Sequence, residues 1–318
     1  MRSTRLIPFL SLLAMLGAFL SRATPARATF PGPDGRIAFT SDRFGGTLNI
    51  FTMNSDGSDV RQLTFLTADQ GAALRQEWSP DASTLVFEQR NPDGSIRQLY
   101  VMNADGSDRH LLFSETAPTL DFSPTFSPDG GKVIFGRCRF DLEACGIYTV
   151  KSDGHGLTAI TKLGYNVRHN IFDFDPEYSP DGLTIAFDSF RRGGVFAAVY
   201  LMDPHGQNIH RITPTRLNAL DPDWAPDGSR IAFDTNCCNP RPSAIWSVGP
   251  NGTGLKQLTF PGTKHDFTPE YAPAGDRIAF ERDSADFSTS AVWTMNPDGT
   301  DLVKIQADAF LPSWGPAG

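Results

Sequence analysis

Two kinds of side chain recur in this chain where they could do chemistry. Arginines return after short apolar runs, at Arg43, Arg90, Arg137, Arg139, Arg191, Arg192, Arg241 and Arg282. Guanidinium groups suit bidentate recognition of carboxylate or phosphate. The competing reading is a salt-bridge ring to nearby acids. Acids recur at Glu77, Asp121, Asp173, Asp175, Glu177, Asp221, Asp223, Asp266 and Glu270. If Asp173, Asp175, Glu177, Asp221, Asp266 and Glu270 converge on one axis, a calcium ion is the hypothesis. Clustered carboxylates raise one another's pKa unless a cation or arginine compensates. His169, in Arg168-His169-Asn170, and His265, beside Asp266, are candidates for a metal or an acid–base pair. Solvated loop histidines are the plainer account.

The elements that must position these groups are written as a repeat. Gly32-Pro33-Asp34-Gly35 returns as Ser79-Pro80-Asp81-Ala82, Ser127-Pro128-Asp129-Gly130, Ser179-Pro180-Asp181-Gly182 and Ala225-Pro226-Asp227-Gly228. It returns again as Ala272-Pro273-Ala274-Gly275 and Gly315-Pro316-Ala317-Gly318. The intervals are 47, 48, 52, 46, 47 and 43 residues. A period of this size marks a solenoid, propeller or array. Within one unit, Pro226-Asp227-Gly228 has turn chemistry, and Ile231-Ala232-Phe233 is a β-rich run. Ile245-Trp246 follows, then the hairpin signal Asn251-Gly252, then Leu258-Thr259. A Pro-x-aromatic strand such as Pro269-Glu270-Tyr271 restarts the cycle.

Four short strands per unit and no helical period predict an all-β, six-bladed β-propeller of four-stranded antiparallel blades. The repeats begin without a Pro-x-aromatic strand and end on Pro312-Ser313-Trp314. The C-terminal strand is therefore expected to complete the first blade and close the ring. The turns Asp56-Gly57, Asp105-Gly106, Asp153-Gly154 and Asp298-Gly299 share one face with the Pro-Asp-Gly series. The long, dissimilar loops share the opposite face, where binding usually lives. Phe44, Phe140, Phe190 and Phe287 fall in those loops.

These residues resemble the TolB-type propeller repeat. Trp78-Ser79-Pro80-Asp81, Ile37-Ala38-Phe39, Met53-Asn54-Ser55-Asp56-Gly57 and Gln62-Leu63-Thr64 carry the resemblance, which spans residues 32–318. It implies a propeller and an exported binding role. The family's namesake places an α/β domain before its propeller, whereas here the repeats follow almost directly on the N-terminal segment.

That segment, residues 1–28, reads as a cleaved secretory signal peptide. Arg2 and Arg5 precede fifteen largely apolar residues, 6–20, and Ala26-Arg27-Ala28 is a small-x-small site. The stretch is shorter than the ~20 residues a membrane span needs. The propeller is then 29–318, in the periplasm or outside the cell, with no membrane insertion after cleavage. The segment carries four arginines and no acid, so the remaining chain has a formal charge of −12. Such a surface repels nucleic acid. Cys138 and Cys145 flank one short loop, and Cys237 and Cys238 are adjacent. A Cys138–Cys145 bridge, a vicinal Cys237–Cys238 bridge and free thiols all stay open.

No nucleophile elbow, zinc-protease motif or phosphate loop is present. The leading expectation is a non-catalytic, monomeric binding scaffold for a protein, peptide or glycan on the loop face. The alternative is a metal-assisted lyase or lactonase-like enzyme at the channel mouth, built on His169, Asp173 and His265.

Overall fold

The computed structural model of the chain describes residues 31–114, 119–139, 144–161, 172–191, 196–235 and 242–318. The expected signal peptide lies outside these, as do His169, Arg192, Cys237, Cys238 and Arg241, and the side chain of Arg139. No α-helix occurs among the described residues.

The chain opens with β1 (Asp34–Ser41), β2 (Asn49–Met53) and β3 (Arg61–Gln62). Next come β4 (Ala72–Trp78), β5 (Thr84–Arg90), β6 (Arg97–Asn103) and β7 (His110–Leu111). They are followed by β8 (Thr119–Phe126), β9 (Lys132–Arg139), β10 (Ala144–Lys151) and β11 (Thr158–Ala159). The next unit is β12 (Asp173–Tyr178), β13 (Ile185–Ser189), β14 (Ala198–Met202) and β15 (His210–Arg211). Then come β16 (Ala219–Trp224), β17 (Ile231–Thr235), β18 (Ala244–Val248) and β19 (Lys256–Gln257). The last are β20 (His265–Tyr271), β21 (Ile278–Asp283), β22 (Ser290–Met295), β23 (Val303–Ala307) and β24 (Phe310–Pro316).

The molecule is an all-β propeller, but the expectation of six separate four-stranded blades is corrected by the pairing. Discrete four-stranded blades number four: β24-β1-β2-β3, β12 to β15, β16 to β19 and β20 to β23. The remaining strands share one eight-stranded sheet. The junction is a parallel contact of β6 with β8, at Arg97 and Leu120. It has a local cause. The β5–β6 hairpin stays paired out to Arg90 and Arg97, whereas β13–β14 stops at Ser189 and Ala198. The longer hairpin carries β6 within reach of its neighbour.

The repeated turn is built from side-chain bonds to backbone. Ser79 Oγ donates to Asp81 Oδ1 at 2.7 Å and accepts from the Thr84 N–H at 3.0 Å. The Ser83 N–H bonds the same carboxylate at 3.0 Å. Ser127 with Asp129 and Ser179 with Asp181 repeat the arrangement. This is why Ser-x-Asp recurs on the turn face: these local bonds fix the chain reversal.

Packing between successive sheets explains the Ile-Ala-Phe pattern. Ile37 and Phe39 of β1 pack on Ala279 and Val292 of the β20-to-β23 blade. On the other face of β1, Ala38 receives Leu85 and Phe87 of the next unit. Ala186 takes Ile231 and Phe233, and Ala232 takes Ile278 and Phe280, in the same way. Large residues on one face therefore fill the hollow left by a small residue on the facing sheet, as close packing requires. Cys138 and Cys145 lie opposite each other across β9 and β10 and are joined by a disulfide.

The last strand lies against the first. Ile37 pairs with Trp314 and Thr40 with Phe310. The approach is close enough that a Cβ on Gly35 would sit 2.1 Å from the Pro316 carbonyl oxygen. Truncation before Phe310 should leave β1 as an open edge and uncover Phe39 and Phe51. The expected outcome is loss of a single cooperative unfolding transition in urea, followed by circular dichroism; an unchanged transition would show that β24 is dispensable.

Candidate functional site

Each innermost strand passes through one residue with left-handed backbone: Arg75 (φ 51), Ser123 (φ 48), Asp175 (φ 43), Asp221 (φ 46), Thr268 (φ 46) and Leu311 (φ 51). Each lies where the ladder slips, as between Phe174 and Glu177 in β12 and between Leu220 and Asp223 in β16. Such a bulge bends the strand and re-aims its side chains. The result is a central cavity of about 120 Å³. Its wall carries the left-handed residues and, two positions on, Glu77, Thr125, Glu177, Asp223 and Glu270. Asp175, Glu177, Asp221 and Glu270 line this cavity, whereas Asp173 and Asp266, expected on the same axis, do not.

Asp223 of the wall and the nearby acids Asp234 and Glu281 have a structural use. The bulges free backbone N–H groups, and carboxylates from the preceding unit accept them. Asp234 Oδ2 takes the Thr268 N–H at 3.1 Å, and Glu281 Oε2 takes the Leu311 N–H at 3.1 Å. Asp223 Oδ2 takes the Tyr271 N–H at 2.7 Å. Thr125 Oγ1 donates to the Pro176 carbonyl at 3.1 Å. The acids therefore stitch each unit to the next.

The electrostatic consequence is large. Burial, before any neighbouring charge, pushes Glu77 up to about 7, Asp221 to about 6 and Glu281 to about 8. Asp188, Asp223, Asp234 and Glu270 are held well above the usual carboxylate range, by burial and then by facing acids. Arg75, which the sequence reading passed over, points its guanidinium into this group. Its Nη1 lies 3.2 Å from Asp221 and 3.6 Å from Asp175. Burial works against its charge, yet Asp221, Asp175 and Glu88 raise its pKa. The available signal was register: Arg75 occupies the position held by Asp175 and Asp221 in later repeats.

The other candidates lie toward the loops and are engaged. Arg137 grips Asp121 at 2.6 and 2.8 Å, Arg191 grips Asp173 at 2.9 and 2.6 Å, and Arg282 grips Asp266 at 2.5 and 2.7 Å. Arg90 bonds Glu88 at 2.5 Å, and Arg43 bonds Ser41 Oγ at 2.9 Å and the Ala307 carbonyl at 3.0 Å. Four of these guanidinium groups also lie over the phenylalanine of their own second strand. They are Arg43 on Phe39 at 5.0 Å, Arg137 on Phe135 at 5.3 Å, Arg191 on Phe187 at 5.4 Å and Arg282 on Phe280 at 5.2 Å. These arginines close the loop end of the core by cation–π and ion-pair contact. His265 stacks on Phe287 at 4.6 Å and on Phe267 at 6.0 Å, and its Nδ1 accepts the Ser243 N–H at 3.3 Å. Asp173 and Asp266 are thus held by arginine. Among the described residues no group of three or more His, Cys, Asp or Glu is arranged to hold a metal ion.

A family pattern described as the TolB beta propeller domain matches residues 22–172 and 166–318. The chain belongs to that family. Among solved structures, TolB from Acinetobacter baumannii is 20% identical, with a TM-score of 0.71 over 91% of this chain and 69% of that one. An oligogalacturonate lyase in complex with manganese is 17% identical, with a TM-score of 0.58 over 88% and 77%. A chain of a nidogen/laminin complex is 10% identical, with a TM-score of 0.64 over 88% and 98%. At these identities the likeness shows a shared fold.

For this TolB-family propeller the channel acids set an unusual pH dependence. Their folded pKa values are raised, so the folded state holds more protons than the unfolded chain above about pH 4. Their contribution is present at low pH and is lost as pH rises through about 6 to 8. The turn carboxylates Asp81, Asp129 and Asp286 are lowered by hydrogen bonds, and act oppositely in more acid solution. Thermal stability should therefore peak near about pH 5 and decline toward about pH 8.5. Arg75→Met should cost about 2 kcal/mol at the alkaline end, where Asp175 and Asp221 lose their counter-charge, and less near the peak. Melting temperatures across this range check both; a profile that rises steadily with pH would contradict the account.

Proposed function

We propose that this chain is an exported, non-catalytic scaffold that binds a protein, peptide or glycan on the face formed by its long loops. The observation that supports this is where apolar surface is left uncovered. The exposed phenylalanines Phe44 (69%), Phe65 (72%), Phe196 (38%), Phe260 (78%) and Phe287 (59%) all lie in loops of that face. Among the described residues, the exposed large apolar side chains at the turn face are the smaller Val60, Leu183, Leu302 and Val303. Phe65 and Phe260 stand at one place in two repeats, each directly after a Leu-Thr pair. Aromatic side chains presented together on one face suit a partner, because they bury much area at little entropic cost.

Export rests on the pattern of residues 1–28. A protein partner also accords with the nidogen/laminin likeness, although the identity there is low. The lyase-like alternative has less to support it. Arg191 occupies Asp173, and His265 is stacked against Phe287 and Phe267.

The test compares the unaltered chain with Phe65→Ser/Phe260→Ser on peptide and glycan arrays. Both side chains are solvated, so melting temperature should change little. Any ligand retained by the unaltered chain should bind about tenfold or more weakly to the double variant, since each lost hot-spot aromatic is worth about 1–2 kcal/mol. Leu183→Ser, on the opposite face, should bind normally. Equal binding by all three proteins would remove the loop-face reading.

A further inference from the structure

The stitch by a second-strand carboxylate is made in two units; at the same position Glu88 is taken by Arg90 and Gly136 offers no acid. In β17 and β21, Asp234 and Glu281 accept backbone N–H groups of the following unit. The equivalent residue of β13 is Asp188, which lies opposite Phe174 as Asp234 lies opposite Leu220. Asp188 is wholly buried; no backbone N–H and no basic side chain donates to its oxygens, whose polar neighbour is the Asp175 carboxyl. The groups that face it are Asp175, Asp221 and Asp234. Asp175 and Asp221 line the central cavity and are partly open to it, at 18% and 21% exposure. The donors supplied here are Arg75 Nη1, shared between Asp175 and Asp221, and the Ser123 hydroxyl, which donates to Asp175. One oxygen of Asp234 is likewise left without a donor. Four carboxylates thus converge on a single guanidinium.

We propose that the channel binds a primary alkylammonium group, seated against Asp175 and Asp221 beside the Arg75 guanidinium, with Asp188 behind them. An ammonium brings three N–H donors and a positive charge in a small volume, which is what these oxygens lack. A metal ion suits the place less well, because the acids are not arranged to coordinate one. One residue toward the loops stand Phe174, Leu220, Phe267 and Phe310, all half-buried. A methylene chain arriving from the loop face therefore meets apolar surface before its charged end reaches the acids. A free diamine and a lysine side chain of a peptide both have this form.

The experiment is calorimetric titration of the chain at low ionic strength with cadaverine and, separately, with the peptide acetyl-Gly-Lys-Gly-amide. Asp188→Asn, Asp221→Asn and the exposed control Asp286→Asn are titrated alongside, with melting temperature confirming that each is folded. Asp188→Asn replaces a buried carboxyl among facing acids with an uncharged amide that brings its own N–H donors, so its melting temperature should hold or rise. Saturable binding that weakens about tenfold or more in Asp188→Asn and Asp221→Asn, and is unchanged in Asp286→Asn, supports the site. Binding of cadaverine then assigns a free amine, and binding of the peptide alone assigns a protein side chain. Absence of saturable binding by both ligands, or equal binding by all variants, overturns it. Phe65→Ser/Phe260→Ser should bind the amine normally, so failure of the loop-face reading and failure of this one give different results.

Discussion

Every innermost strand must pass through a left-handed residue where it reaches the axis, and much of the molecule answers that constraint. A non-glycine residue in this conformation is strained by about 1 kcal/mol or more. The strain persists because the surroundings over-determine it. The bulge turns Asp175, Asp221 and Arg75 into the cavity, and it frees N–H groups that must be bonded. The preceding unit supplies the acceptors, Asp234 for Thr268 and Glu281 for Leu311. Geometry at the axis, contact between units and the acidity of the channel are thus three results of one local backbone choice. The acids are dense there because buried N–H groups require acceptors.

The arginines answer a second requirement at the loop end. The buried rings of Phe39, Phe135, Phe187 and Phe280, one in each of four units, must be closed off from water at the loop end. A guanidinium laid over each ring covers an aromatic face while keeping its donors for a carboxylate or carbonyl at the edge. Arg137 shows the limit of this design, since it is itself buried and bonded twice to buried Asp121. Groups committed in this way have little freedom to meet a ligand, which shifts attention from charged to aromatic side chains on that face.

Much of the architecture was legible in the sequence because the turn and strand signals are local. Ser-Pro-Asp, Ile-Ala-Phe and Asn-x-Asp-Gly each act within a few residues. The joining of two units by β6 and β8 was not legible, since it depends on how far the β5–β6 hairpin stays paired toward its loop. The direction of the acids could be read from strand alternation; their partners could not. Nothing in Asp173 or Asp266 as letters distinguishes an arginine-held carboxylate from a metal ligand, because the deciding residues lie 16 to 18 positions away across a hairpin. Gly136 shows the same difficulty in reverse. It stands where other repeats carry Glu88, Asp188 or Asp234, and its missing Cβ makes room for the Phe122 ring, whose atoms would approach a substituted Cβ to 2.3 Å. A lost acid and a gained aromatic are one event in space and two unrelated letters in sequence.

Repetition makes the exceptions informative. Where each unit repeats a solution, a residue that departs from it is relieved of the scaffold duty its counterparts perform. Gly136 departs and is compensated by Phe122. Arg75 departs and is balanced by Asp175 and Asp221. Asp188 keeps the residue type but lacks the backbone donor that Asp234 and Glu281 enjoy. A buried carboxylate without a donor destabilises the fold, and the other channel acids with structural partners show that the repeat knows how to provide one. The scaffold's needs account for the acids that are bonded. They do not account for Asp188, which faces Asp175 and Asp221, two of the acids that line the cavity.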